Sequence, residues 1–174
     1  MAPHINGPLN YERLGKEGPA IAFVHPNPMD RDCWIYQMSH LSTWYRCMAI
    51  DLPGYGRSPS AMAGLTMPDV ATACWEAVDA AFPGESQVVL VGLSVGSNVV
   101  PHMYHLRPGQ TAALILSGTG LPEGGPKPFA QKRIQQYGEL GVSFRGEHAL
   151  QGFSPAFRET PMGRYFASVV RHRK

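Results

Sequence analysis

A serine set between two glycines, where an apolar run gives way to a segment that can coil, is a candidate nucleophile. Residues 92–96 read Gly-Leu-Ser-Val-Gly and follow Val88-Val89-Leu90-Val91, and residues 97–106 can continue as a helix. This is the G-x-S-x-G pattern between strand and helix, and it nominates Ser94. A serine hydroxyl is a poor nucleophile at neutral pH. The chemistry therefore needs a base to take its proton, an acid to orient that base, and donors for a developing oxyanion. No aspartate follows Ser94; the acids after it are Glu123, Glu139, Glu147 and Glu159, and the histidines are His102, His105, His148 and His172.

Those residues need a frame to hold them. Residues 20–24 form a short apolar run that closes on the breaker His25-Pro26-Asn27-Pro28. Apolar positions 34, 35, 38 and 41 have helical spacing. Residues 47–50 predict another strand, stopped by Asp51-Leu52-Pro53-Gly54-Tyr55-Gly56. The clearest helix spans about 67–82, with Val70, Ala71, Cys74, Trp75, Val78, Ala81 and Phe82 on one face. Thr66 and Asp69 make a capping-box start for it, and Pro83-Gly84 ends it. Residues 87–91 and 112–116 are near-continuous apolar runs, the pattern of strands buried on both faces of a parallel sheet. Strand and helix alternate, which predicts an α/β fold with a mostly parallel, doubly wound sheet. From Gly118 the chain turns rich in glycine and proline, and beyond it residues 129–140 and 162–170 read as helices with no further strand. Two parts are expected, 1–118 and 119–174.

At 174 residues, 44% hydrophobic and 16% charged, the chain is long and apolar enough for a real core. A net charge of +2 argues against nucleic acid as a partner, and the basic cluster at 171–174 reads as a solvated tail. Cys33, Cys47 and Cys74 form no C-x-x-C pair and read as reduced thiols. The first residues lack a secretory pattern, and no apolar stretch approaches membrane-spanning length. A cytoplasmic protein acting on a small molecule, with no membrane, metal or cofactor, is the expectation.

Three motifs in order, His25-Pro26-Asn27-Pro28, Asp51-Leu52-Pro53-Gly54-Tyr55-Gly56-Arg57-Ser58 and Gly92-Leu93-Ser94-Val95-Gly96, make the chain resemble the α/β-hydrolase fold family. The first is similar to that family's H-G-x-P oxyanion turn and the second to its D-x-x-G-x-G-x-S loop. The resemblance covers about residues 9–118, and residues 119–174 resemble the start of a helical cap. It implies Ser94 as nucleophile on a sharp turn, where side chains at 92 and 96 would collide with the neighbouring strand and helix. It implies an oxyanion hole from the backbone N–H groups of Asn27 and Val95. Pro26 stands where the family usually has glycine, so the Asn27 side chain could assist. His25 is expected to be structural, and Asp51 to organise its loop through backbone hydrogen bonds.

Some members of the family place the acid just past the strand that follows the nucleophile helix, which makes Glu123 the acid candidate. His148 is the base candidate, although it lies, like His172, in the cap-like part where the family does not place its base. His102 and His105, on the helix leaving Ser94, should point away from its Oγ. The family's later strands, usual acid and late histidine have no counterpart, which fits a C-terminally truncated member. Missing strands would leave an uncovered sheet edge and favour self-association.

The resemblance implies a serine-dependent hydrolase of an ester, lactone or related acyl substrate, working through an acyl-enzyme. Serine at 94 argues against the branches whose nucleophile is a carboxylate. The rival is a non-catalytic binding or interaction module of the same fold, which the missing acid and base favour. Nucleotide binding is remote, because no G-x-x-x-x-G-K-[ST] or G-x-G-x-x-G follows a strand.

Overall fold

The computed structural model describes residues 4–118, 135–136, 139 and 150–171. The chain divides into two compact units, Met1–Thr119 and Gly120–Lys174.

The first unit is a five-stranded sheet built from β1 (Tyr11–Leu14), β2 (Ala20–Val24), β3 (Arg46–Ile50), β4 (Val88–Leu93) and β5 (Thr111–Ser117), in the order β1-β3-β2-β4-β5. All neighbours run parallel except β1, which lies antiparallel to β3. Alternation along the strands sorts the core. Ala20, Ala22, Val24, Met48, Ile50, Val88 and Leu90 share one buried cluster with α2 (Met67–Ala81) and α3 (Val95–Leu106). On β2 the intervening residues Ile21 and Phe23 face the other way, and Phe23 stacks on Trp34 with ring centroids 5.0 Å apart. Trp34 ends the 3-10 turn Arg31–Trp34 that leads into α1 (Ile35–Leu41). Helices therefore cover both faces, as a parallel sheet requires.

Helix α2 starts as the sequence predicts. The Thr66 side chain accepts from Asp69 N, and the Asp69 carboxylate accepts from Thr66 N at 2.9 Å, closing a capping box. Trp75 is fully enclosed and donates its indole N–H to Met103 O at 2.8 Å, tying α2 to α3. Beside it, complete burial pushes the Cys74 thiol up to about 12, so it stays protonated and inert.

Two strands differ from the sequence reading. β5 occupies the apolar run expected, but it is not buried on both faces: only Thr111 and Leu114 are half-buried, and Ile115 is 52% exposed. The reason is position. Among the described residues β5 pairs with β4 alone, and an apolar run reports that a strand can be buried, not how many neighbours it has. The short strand β1 was not anticipated; Tyr-Glu-Arg-Leu carries two charges in the middle, which suits the opposite edge.

In the second unit a short helix, Pro155–Arg158, precedes a longer one, Pro161–Arg171. Ser154 caps the first by accepting from Phe157 N at 3.2 Å, and Thr160 Oγ1 accepts from Gly163 N at 3.0 Å. Phe153 packs against Phe157 and Phe166, with centroids 5.2 and 6.0 Å away. Of the helix expected over 129–140, only Gln135, Gln136 and Glu139 are described, and all three are helical. Among the described residues no helix is long and apolar enough to cross a membrane, and no cluster of His, Cys, Asp or Glu could hold a metal ion.

Candidate functional site

Strand register brings the three motifs to one edge. Val24 pairs with both Ile50 and Gly92, and Gly92 pairs with Leu116. Hence His25, Asp51, Leu93 and Ser117 leave their strands at the same level, the C-terminal edge where α/β sheets place ligand sites.

Ser94 lies between β4 and α3 at φ 53°, ψ −112°. Positive φ is uncommon for a residue with a side chain, and such a conformation costs about 1–3 kcal/mol unless its surroundings enforce it. The enforcement is visible. A Cβ on Gly92 would run into the Gly96 carbonyl and Ser97 N, and a Cβ on Gly96 would run into Val24 O and come within 3.1 Å of His25 O. Glycine at both positions lets α3 start against the end of β2. Ser94 N donates to Ser117 O at 2.9 Å, and the Ser94 side chain is exposed. Val95 is the first residue of α3, where backbone N–H groups have no intrahelical acceptor.

Ser97, 1% exposed, is a residue the sequence reading passed over. Its Oγ lies 2.7 Å from both Gly92 O and Ser117 O and accepts from Ser117 N at 3.2 Å. One hydroxyl thus joins the end of β4 to the end of β5 beneath the turn. Its only sequence signal is a small polar residue one turn into an otherwise apolar helix face.

The 25–31 turn is tied to the 51–58 loop. His25 is fully buried; its Nε2 accepts from Leu52 N at 2.9 Å, so the ring proton sits on Nδ1, 2.9 Å from Pro26 O. With both nitrogens engaged, His25 serves structure. Asn27 is exposed, its peptide bond to Pro28 is cis, and its Oδ1 accepts from Tyr55 OH at 3.0 Å. No described residue accepts the Asn27 backbone N–H.

Asp51 organises its loop as expected, and does more. Its buried carboxylate accepts from Arg57 N at 3.1 Å and Arg31 N at 2.9 Å, and it pairs with the Arg31 guanidinium. A Cβ on Gly56, at φ 52°, would strike that carboxylate. Burial alone would lower the Arg31 pKa; the charge and hydrogen bond of Asp51, with help from Asp32 and Asp30, outweigh burial and raise it. Arg31 was not singled out from the sequence.

His102 and His105 are exposed on α3. The acid and base candidates Glu123 and His148 lie outside the described residues, as do Glu147 and His172. The structure thus brings Ser94, Val95 and Asn27 to one edge of the sheet and gives no placement for the two remaining candidates.

A family model described as alpha/beta hydrolase family matches residues 21–173. The chain is 35% identical over 109 residues to Lipase LipV of Mycobacterium tuberculosis, which covers 62% of this chain and 40% of the lipase. It is 36% identical over 56 residues to a haloalkane dehalogenase of Mesorhizobium japonicum, covering 32% of this chain and 18% of that protein. Among solved structures, the enol-lactonase of Burkholderia xenovorans superposes with a TM-score of 0.81 at 18% identity, over 97% of this chain and 66% of that one. This chain therefore spans less than two thirds of the length of each of these relatives.

Proposed function

This chain belongs to the alpha/beta hydrolase family, and on that premise we propose that it is a serine-dependent hydrolase of an ester, lactone or related acyl substrate. The observation that carries the reading is the Ser94 backbone, held at φ 53° where a strand enters a helix. Such strain in a residue with a side chain points to function, because a turn without that duty would carry glycine or relax. The relatives include both acyl hydrolases and a dehalogenase, so the family alone leaves the chemistry open. Serine at 94 favours acyl transfer, since the carboxylate-nucleophile branches need an acid at that position.

In this reading Ser94 Oγ attacks the substrate carbonyl as its proton passes to a base. The backbone N–H groups of Asn27 and Val95 receive the oxyanion. Collapse expels the alcohol with that proton and leaves an acyl-serine; water then adds, giving the acid and restoring the hydroxyl. Glu123 and His148 are this chain's candidates for acid and base.

A non-catalytic module is the rival, favoured by the described histidines: His25 has both nitrogens engaged, His102 and His105 are exposed on α3, His40 is exposed on α1 against Trp44, and His4 is exposed near the first described residue. A fluorophosphonate probe separates the two, because it labels only an activated serine. Labelling that is lost in Ser94→Ala, a drop of about 10⁴-fold or more, supports the enzyme. Folded protein that takes no label supports the module.

A further inference from the structure

The 51–58 loop has a job that its sequence does not announce. Its contacts with the 25–31 turn form a connected set: Leu52 N to His25 Nε2, Tyr55 OH to Asn27 Oδ1, and Arg31 to Asp51. Tyr55 stands in the middle of it. Its backbone is pinned by Tyr55 N to Leu52 O at 3.0 Å and by Ser58 N to Tyr55 O at 2.9 Å. Its ring is half-buried against the core and meets the His25 ring edge-on, with centroids 5.1 Å apart. The phenol oxygen is therefore delivered to a fixed place by a rigid support.

What it meets there is the carboxamide of Asn27. A free carboxamide can turn over and offer either its oxygen or its nitrogen. A phenol O–H donating to Oδ1 selects one orientation and leaves both N–H groups of Nδ2 as donors on the other side. No described residue accepts from Nδ2. Pro26, just before, contributes no N–H, so the turn's backbone donor is Asn27 N, and a side-chain amide on the same residue can add a second donor beside it. Resting on the serine-hydrolase reading above, we propose that Tyr55 is a positioning residue for the oxyanion turn: it orients the Asn27 carboxamide so that Nδ2 donates to the oxyanion formed at Ser94, beside the backbone N–H groups. The loop that carries no reacting atom thereby sets the polarity of the side chain that does.

The test uses the full chain, hydrolysis of p-nitrophenyl acetate, fluorophosphonate labelling, and ¹⁵N NMR of the Asn27 side-chain amide, assigned by its loss in Asn27→Ala. Tyr55→Phe keeps the ring and removes only the donor. It should lower kcat about tenfold and leave KM within about twofold, since the interaction matters only once the oxyanion forms. Asn27→Ala should lower kcat about 10²-fold, the usual effect of losing one such donor. The double variant should be no slower than Asn27→Ala alone, because Tyr55 acts only through Asn27. Tyr55→Phe should also move the Asn27 amide pair. Wild-type kcat in Tyr55→Phe, effects that multiply in the double variant, or an unmoved amide pair would each overturn the proposal. If the folded wild-type chain takes no label, the serine-hydrolase reading has failed and the oxyanion role goes with it. The NMR shift would still separately report whether Tyr55 holds the carboxamide.

Discussion

At Gly92 and Gly96 the Ser94 turn keeps its shape because nothing stands where a side chain would, with Val24 O and the Gly96 carbonyl filling that space instead. The 25–31 turn beside it keeps its shape by being tied down, through His25, Asn27 and Arg31, to a loop twenty or more residues away. Close packing of backbone defines the first, and charge and hydrogen bonds define the second. The difference teaches how one sheet edge can hold the proposed nucleophile and the proposed oxyanion donors in register. Ser94 sits on a strained backbone that close packing at Gly92 and Gly96 holds in place, with the bond from Ser94 N to Ser117 O beside it. The donors need fixed directions, which hydrogen bonds supply.

Removing Asp51 should strike the tied turn hardest. The Asp51 side chain is fully buried and that of Arg31 only 10% exposed, so Asp51→Ala leaves a buried guanidinium without its partner. A loss of about 3–5 kcal/mol in urea unfolding is expected. A loss no greater than that of a surface substitution would show that charge does not hold this turn. Next comes the packed turn. Gly96→Ala drives a methyl group into Val24 O, and overpacking of this kind typically costs about 1–3 kcal/mol. Unchanged stability would mean that the Ser94 turn has slack, and the contrast between the two turns would collapse.

The smallest effect belongs away from both turns. Thr66→Ala removes the cap of α2 and should cost about 1 kcal/mol without altering fluorophosphonate labelling. The Thr66 hydroxyl and backbone N–H hold the Asp69 carboxyl below its ordinary value of 3.8. A depressed folded value means that the contribution is present above pH 3.8 and is lost as pH falls through the folded value. Thr66→Ala should therefore flatten the acid limb of the stability profile. If it instead abolished labelling, the site would depend on more of the fold than its own edge.

The helices and central strands were legible because their signals are local. The capping box of α2, the apolar face from Val70 to Ala81 and the strand ends at His25, Asp51 and Ser94 are written in spacings of a few residues. β1 was missed because four residues carrying two charges give no periodic signal. The exposure of β5 was missed because its run of apolar residues matches that of a buried strand, and only strand order tells them apart. Ser97, Arg31 and Tyr55 were missed for a third reason. Each matters through a partner that the chain brings near only on folding: Ser117, Asp51 and Asn27 in turn.

By itself, then, the sequence determined where the candidate nucleophile Ser94 stands and that glycine flanks it, because a strand-to-helix turn leaves a short pattern. It also determined the kind of sheet, because strands and helices repeat with their own periods. Only the tertiary structure decided which partners engage the two nitrogens of His25, that Arg31 answers Asp51, and that Tyr55 donates to the Asn27 carboxamide. Hydrogen bonds and ion pairs need atoms within about 3 Å of each other. For residues twenty or more positions apart, that distance comes from strand register.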